Sequence, residues 1–276
     1  GIEGRLFRPM ALTVVFAPDS FKGSLTSVEV ARALAEGWAR ARPQDELLLC
    51  PLADGGEGTL AAVAATGGWT WQEAAATDPL GRSIVTRWLR SAEGSRGVVE
   101  LAEASGLSRL APPDRDARRA STSGTGEVLL ATLDAGVRHI ALGIGGSATT
   151  DGGWGILAAL GARRTDDGGI DLDGLDPRLA EVELRIACDV TNPLLGPTGA
   201  AAIYGPQKGA SPEDVAFLDA ELARYADALE ASTGRRERDT TGAGAAGGAG
   251  VGLLCLRDRF RSLGLAPGVD LVADET

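Results

Sequence analysis

Between residues 12 and 66 the hydrophobic pattern passes twice from a strand period to a helix period. Leu12–Ala17 is a short apolar, β-branched run closed by Pro18-Asp19-Ser20, which predicts a strand. Thr26 or Ser27 is then placed to cap a helix reaching about Arg42, with Glu29 where a capping box needs it. Pro43-Gln44-Asp45 predicts a turn, Glu46–Cys50 a second strand and Thr59–Thr66 a short helix. Strand, helix, strand, helix in succession predicts parallel strands joined by right-handed crossovers.

The pattern changes near Gly67–Trp71, a plausible domain boundary. Thr70–Thr77, Ile84–Leu89 and Gly97–Leu101 predict strands linked by turns such as Asp78-Pro79-Leu80-Gly81, hence an antiparallel or mixed sheet. A helix is expected at Gly124–Asp134, a strand at His139–Leu142, and a helix at Trp154–Leu160 after the glycine-rich segment Gly143–Gly155. Leu184–Cys188 predicts another strand. Ser211-Pro212-Glu213-Asp214 opens a long helix that ends near Gly234. A last helix is expected at about Val251–Leu263 and a strand from Val269. The leading Ile2-Glu3-Gly4-Arg5 resembles an appended protease-recognition site, so residues 1–9 are set aside as a tag, with Met10 as the native start.

Composition narrows the function. No apolar run approaches the roughly 18 residues that span a bilayer. A net charge of −11 repels polyanions, so neither nucleic acid nor an anionic membrane is expected as a partner. The three cysteines, Cys50, Cys188 and Cys255, are odd in number and lack metal-ligand spacing, which predicts reduced thiols in the cytoplasm. His139 is the single histidine and lies at the edge of an apolar strand, where a structural role is the simpler reading. Of 27 basic residues only Lys22 and Lys208 are lysine. In so arginine-rich a chain, a retained lysine marks a position that needs a compact ammonium rather than a planar fork.

Glycine, 39 residues, clusters in loops that follow predicted strands, at residues 18–24, 53–58, 143–153 and 189–199. Ligands of open parallel sheets bind at such strand ends, and glycine lets backbone N–H groups approach phosphate oxygens. These loops carry Asp54, Glu57, Asp151 and Asp189, the side chains that phosphoryl transfer needs to hold Mg²⁺ and accept a proton. Helix capping and turn fixing are the plainer readings of the same acids, and of Ser147, Thr149, Thr150 and Asn192. Gly143-Ile144-Gly145-Gly146-Ser147-Ala148 also fits G-x-G-x-x-A, with Asp166 and Asp167 near the spacing of a dinucleotide site. A dehydrogenase is therefore the runner-up. No G-x-x-x-x-G-K-[ST] occurs.

Ala17-Pro18-Asp19-Ser20-Phe21-Lys22-Gly23-Ser24-Leu25 and Ala53-Asp54-Gly55-Gly56-Glu57-Gly58-Thr59 resemble motifs of the bacterial glycerate kinase family. So do Gly145–Gly153, Cys188–Leu194, Gly205–Ala210 and Gly242–Gly248. The resemblance implies an α/β protein of two domains. One is a discontinuous Rossmann-like domain with a parallel sheet, residues 10–68 with a return at 266–276. The other is an inserted α/β domain with a mixed sheet, residues 69–265.

It also implies transfer of the γ-phosphate of ATP to D-glycerate with Mg²⁺, 2-phosphoglycerate being the favoured product. On this reading Asp19, Ser20, Asp54, Glu57 and Asn192 face the substrate. Gly145, Gly146, Ser147, Thr149, Thr150 and Gly152 face the nucleotide. Lys22 and Lys208 neutralise phosphate charge, Asp189 is the general base with Asp54 as alternative, and Asp151 or Asp54 holds the metal. Family members continue past residue 276, which raises the expectation of a shortened chain. Such a chain could be a non-catalytic binding remnant, or could pair as a homodimer through an unfinished sheet.

Overall fold

In the computed structural model, which describes residues 10–21 and 24–266, the first apolar run forms β1 (Thr13–Phe16). It pairs in parallel with β2 (Glu46–Leu49), Thr13 opposite Glu46 and Phe16 opposite Leu49. Between them α1 (Ser27–Ala41) begins at a capping box. The Thr26 hydroxyl accepts from the Glu29 amide at 3.2 Å, and the Glu29 carboxylate accepts from the Thr26 amide at 2.8 Å. This two-stranded unit has little core of its own. Val15, Leu34, Leu48 and Leu49 remain exposed.

The second unit is a six-stranded sheet. After α2 (Thr59–Ala64) come β3 (Trp69–Thr77), β4 (Ser83–Ser91) and β5 (Arg96–Glu100), an antiparallel meander. The short α3 (Ala102–Ser105) and the longer α4 (Ser123–Asp134) lead to β6 (His139–Gly143), which runs parallel to β5. Then follow α5 (Trp154–Ala159), the small hairpin β7 (Arg163–Arg164) and β8 (Ile170–Asp171), and β9 (Glu183–Ala187). After α6 (Ala200–Tyr204), α7 (Pro212–Thr233) and α8 (Ala245–Cys255), β10 (Ser262–Ala266) completes the order β10-β9-β6-β5-β4-β3.

Strand alternation decides which face each side chain covers. Val99, Ile140, Leu142, Leu184 and Ile186 join the main core, which also takes in apolar residues of α4, α5, α7 and α8. Their neighbours Val98, Ala141 and Ala187 pack the opposite face beneath Leu60 and Val63 of α2. The centre of the sheet is therefore buried on both sides, as parallel strands require. Register then aligns Glu100, Gly143 and Ala187 in one row at the carboxyl edge. The glycine-rich loops leave from this edge and from the ends of β1 and β2.

One predicted element is wrong. The helix expected over Val251–Leu263 starts earlier, at Ala245, and stops at Cys255. Arg257-Asp258-Arg259 forms a 3-10 turn, and Ser262–Ala266 is a strand parallel to β9. The charged triplet ends the apolar run, and the remaining Leu263 and Leu265 alternate with Ser262 and Gly264 at a strand period. The strand expected from Val269 lies outside the described residues. Among those residues no helix is long and apolar enough to cross a membrane. Cys50, Cys188 and Cys255 are free thiols.

Candidate active site

The strand-end loops enclose a cleft of about 640 Å³. Asp19 and Ser20 reach it from the end of β1, Asp54 and Glu57 from beyond β2, and Gly145, Gly146 and Ser147 from the end of β6. Asp189, two residues past β9, and Lys208, on the 3-10 turn Pro206–Lys208, complete the lining. Nine of the residues picked out in the sequence thus share one cavity. Lys22 lies outside the described residues.

The floor is made where two glycine loops touch backbone to backbone. The Gly145 amide donates to the Gly55 carbonyl at 2.9 Å. A Cβ on Gly143 would stand 2.5 Å from that same oxygen, and one on Gly145 would stand 2.6 Å from the Gly56 Cα. No side chain fits there without driving the loops apart. Gly145→Ala is expected to cost about 1–3 kcal/mol, as overpacking does. Urea unfolding checks this, with Gly37→Ala as control, since a Cβ on Gly37 meets nothing within 4 Å.

Lys208 is 2% exposed. Its ammonium donates to the Ser147 hydroxyl at 2.9 Å and to the Thr149 carbonyl at 2.5 Å, and no carboxylate is bonded to it. Burial pushes its amine down to about 7, with the Asp151 carboxylate acting partly in the opposite sense. A cation held inside protein with neutral partners, at the wall of a glycine-lined cleft, has charge left for an anion to neutralise.

Several sequence-picked residues stand behind this wall rather than on it. Thr149 and Thr150 are buried and, with Gly152, are not among the residues lining the cleft. Their segment is fixed by the glycines of α8: the Gly152 amide donates to the Gly247 carbonyl, and a Cβ on Gly247 would lie 1.9 Å from the Thr149 carbonyl oxygen. Asp151 is committed elsewhere. One carboxylate oxygen accepts from the Thr122 amide and hydroxyl and from the Gly155 amide, and the other accepts from Gly153. Those four bonds tie the first turn of α4 to that of α5 and fill the acceptor capacity of the group. Asp151, expected as a metal ligand, is not among the residues lining the cleft.

Asn192 is likewise bound, donating to the Thr198 carbonyl and accepting from the Tyr204 hydroxyl at 2.7 Å. Tyr204, not Asn192, reaches the cleft. The dinucleotide fingerprint is not formed. Gly143–Ala148 does not open a helix, since α5 starts only at Trp154. Asp166 and Asp167 sit in the turn between β7 and β8, away from the cleft lining.

Sequence reasoning missed Tyr204, Gln207 and Ala246, which line the cleft, and Glu100, whose carboxylate accepts from the amide of the lining residue Gly58. Ala246 has φ 52, the only non-glycine among the described residues in that region. Its neighbours Gly247 and Gly248, at φ 66 and 92, were the one available hint.

Comparison with known proteins gives a consistent result. The profile described as the glycerate kinase family matches residues 14–276. The chain is 44% identical over 275 residues to a glycerate kinase of Haemophilus influenzae, covering 94% of this chain and 72% of that protein. It is 41% identical over 276 residues to the glycerate 2-kinase of Escherichia coli K12, covering 95% and 71%. The crystal structure of the protein named as glycerate kinase 2 in Salmonella typhimurium LT2 superposes with a TM-score of 0.86 at 41% identity, over 96% of this chain and 74% of that one.

Proposed function

The chain belongs to the glycerate kinase family, and from that premise we propose that it transfers the γ-phosphoryl group of ATP to D-glycerate, with 2-phosphoglycerate as the product. The observation that carries this reading is the buried Lys208 ammonium, held by neutral partners in the wall of a cleft that Asp54 and Asp189 also line. Phosphoryl transfer asks for little more than positioning and charge neutralisation. A glycerate hydroxyl oxygen forms the new bond to phosphorus while the bridging oxygen leaves with ADP. The hydroxyl proton passes to the Asp189 carboxylate. The phosphates lie along Gly145–Ser147, where Lys208 offsets the charge on the transferred group. Glycerate occupies the side lined by Asp19, Ser20 and Glu57.

Mg²⁺ fits this lining in the usual kinase manner. Among the described residues no three His, Cys, Asp or Glu side chains converge into a protein cage. Kinases hold the ion through one or two carboxylates together with the phosphates. One oxygen of Asp54 accepts from the Gly56 amide at 2.9 Å, which orients a carboxylate in the cleft that would serve as such a ligand. When bound, the ion neutralises phosphate charge. Reduced thiols make the cytoplasm the fitting compartment.

The test is a coupled assay of ADP formation with ATP, Mg²⁺ and D-glycerate, with ³¹P NMR to identify the phosphorylated hydroxyl. ADP formed in proportion to D-glycerate is the expected result. No ADP above the blank, with ATP still binding, would show a non-catalytic remnant. Binding of NAD(H) in place of ATP would restore the dehydrogenase reading.

A further inference from the structure

Glu100 ends β5 in the row shared with Gly143 and Ala187, and it is 5% exposed. Its two carboxylate oxygens accept from the Gly58 amide at 3.2 Å and the Leu60 amide at 3.1 Å. These amides open α2, a helix with no side-chain cap of its own, since its N-cap is Gly58 at φ 94. The clamp therefore comes from 40 residues away in sequence and from another strand. It is a costly choice for mere capping. Burial pushes the Glu100 carboxyl up to about 7, and Glu103 on α3 and Glu57 on the clamped loop add like charge. A local serine or aspartate would cap α2 with less desolvation.

What a local cap could not do is fix the loop against β5 and β6. We propose that Glu100 is a positioning residue, whose carboxylate pins Gly58 and Leu60 and so holds the Asp54–Gly58 loop, with Asp54 and Glu57, against the glycine wall at Gly145. The pieces of the device adjoin one another. Leu101, next in the chain, donates its amide to the Gly143 carbonyl at 2.8 Å, and Gly145 donates to Gly55 at 2.9 Å. The Thr59 hydroxyl closes the loop on itself by donating to the Gly56 carbonyl at 2.8 Å. Glu100 thus ties the strand edge to one end of the loop while Gly145 ties it to the middle.

The consequence for catalysis rests on the kinase reading, so the experiment carries a readout that does not. Glu100→Gln keeps the shape and one acceptor but turns an amide NH₂ toward the other backbone N–H. Hydrogen exchange followed by NMR is expected to show the Gly58 or Leu60 amide opening about 10-fold faster, the equivalent of one lost hydrogen bond. The amides of Leu142 and Ile186 should lose less protection than Gly58 or Leu60, with the thermal midpoint lowered by no more than a few degrees. In the activity assay kcat/KM should fall by about 10–100-fold, because a shifted loop misplaces its carboxylates. Wild-type exchange at both amides overturns the proposal. So does faster exchange throughout β6 and β9 with a matching fall in thermal midpoint, which would make Glu100 a general stabiliser. If the wild-type chain forms no ADP, the exchange data still decide the clamp, and only the kinase reading fails.

Discussion

Lys208→Met is expected to lower kcat by about 10³-fold, the loss typical of removing one preorganised donor or cation at a transferred group. The protein should remain folded. Wild-type Lys208 makes two hydrogen bonds from a fully buried position, and the apolar replacement of similar length gives up those bonds together with a desolvated charge. The pH dependence separates the two contributions. The amine goes from an ordinary 10.5 in the unfolded chain to about 7 in the folded one, chiefly through burial. Between those values the unfolded state binds more protons, so wild-type stability rises as pH increases from about 7 toward 10.5 and is lowest below 7. The methionine variant should lack that slope. Urea unfolding at pH 7 and pH 9 checks this, beside steady-state kinetics at both.

The same buried amine predicts proton uptake when ligand binds. An anion placed beside Lys208 favours its charged form, so ATP binding at pH 8 should draw a proton from the buffer. Calorimetry in two buffers of different ionisation enthalpy reads this directly, and the methionine variant should show none of it. Lys208→Arg should also lose turnover, since a planar fork cannot replace an ammonium enclosed by Ser147 and Thr149. Full activity in the arginine variant would remove Lys208 from the mechanism.

How far the sequence could be read depended on the range of each interaction. The capping boxes at Thr26 and Ser211 are spelled within four residues, and both helices start where those signals stand. The glycine loops were legible for a similar reason. Backbone contacts such as Gly145 on Gly56 forbid a Cβ, and that prohibition leaves a visible letter in the chain. Lys208 was legible by contrast with the arginines around it. Glu100 was not, because its partners lie 40 and 42 residues away and its strand position looks like any other.

Asp151 shows the opposite failure. It sits inside a recognisable motif, yet its four donors come from Thr122 and from the start of α5, so its carboxylate fastens two helices, a role the motif does not spell out. The helix expected to run on to Leu263 fails because a three-residue charged turn and a five-residue strand are both shorter than the window in which helical periodicity is judged.

Asp189→Asn is expected to reduce turnover by about 10²–10⁴-fold, the range for loss of a general base, while ATP affinity stays within about twofold of wild type. The prediction follows from position. β9 is held between β6 and β10, and its register sets Ala187 beside Gly143 and Ala266. The chain turns immediately afterwards, with the Cys188 thiol donating to the Val190 carbonyl at 3.3 Å, so Asp189 is presented at the cleft from a rigid strand end. Asparagine keeps size and polarity but accepts no proton at neutral pH, which separates chemistry from binding.

Asp54 is the competing base, and its environment differs. One oxygen is bonded to the Gly56 amide inside its own loop, a contact asparagine can keep through its carbonyl oxygen. If Asp54 serves as metal ligand, Asp54→Asn should weaken the apparent affinity for Mg²⁺, and saturating Mg²⁺ should restore part of the rate. Asp189→Asn should not respond to added Mg²⁺. Measuring ADP formation and calorimetric ATP binding for both variants across a Mg²⁺ series therefore assigns the two carboxylates. Retained turnover in Asp189→Asn together with its loss in Asp54→Asn at every Mg²⁺ concentration would transfer the proton-accepting role to Asp54.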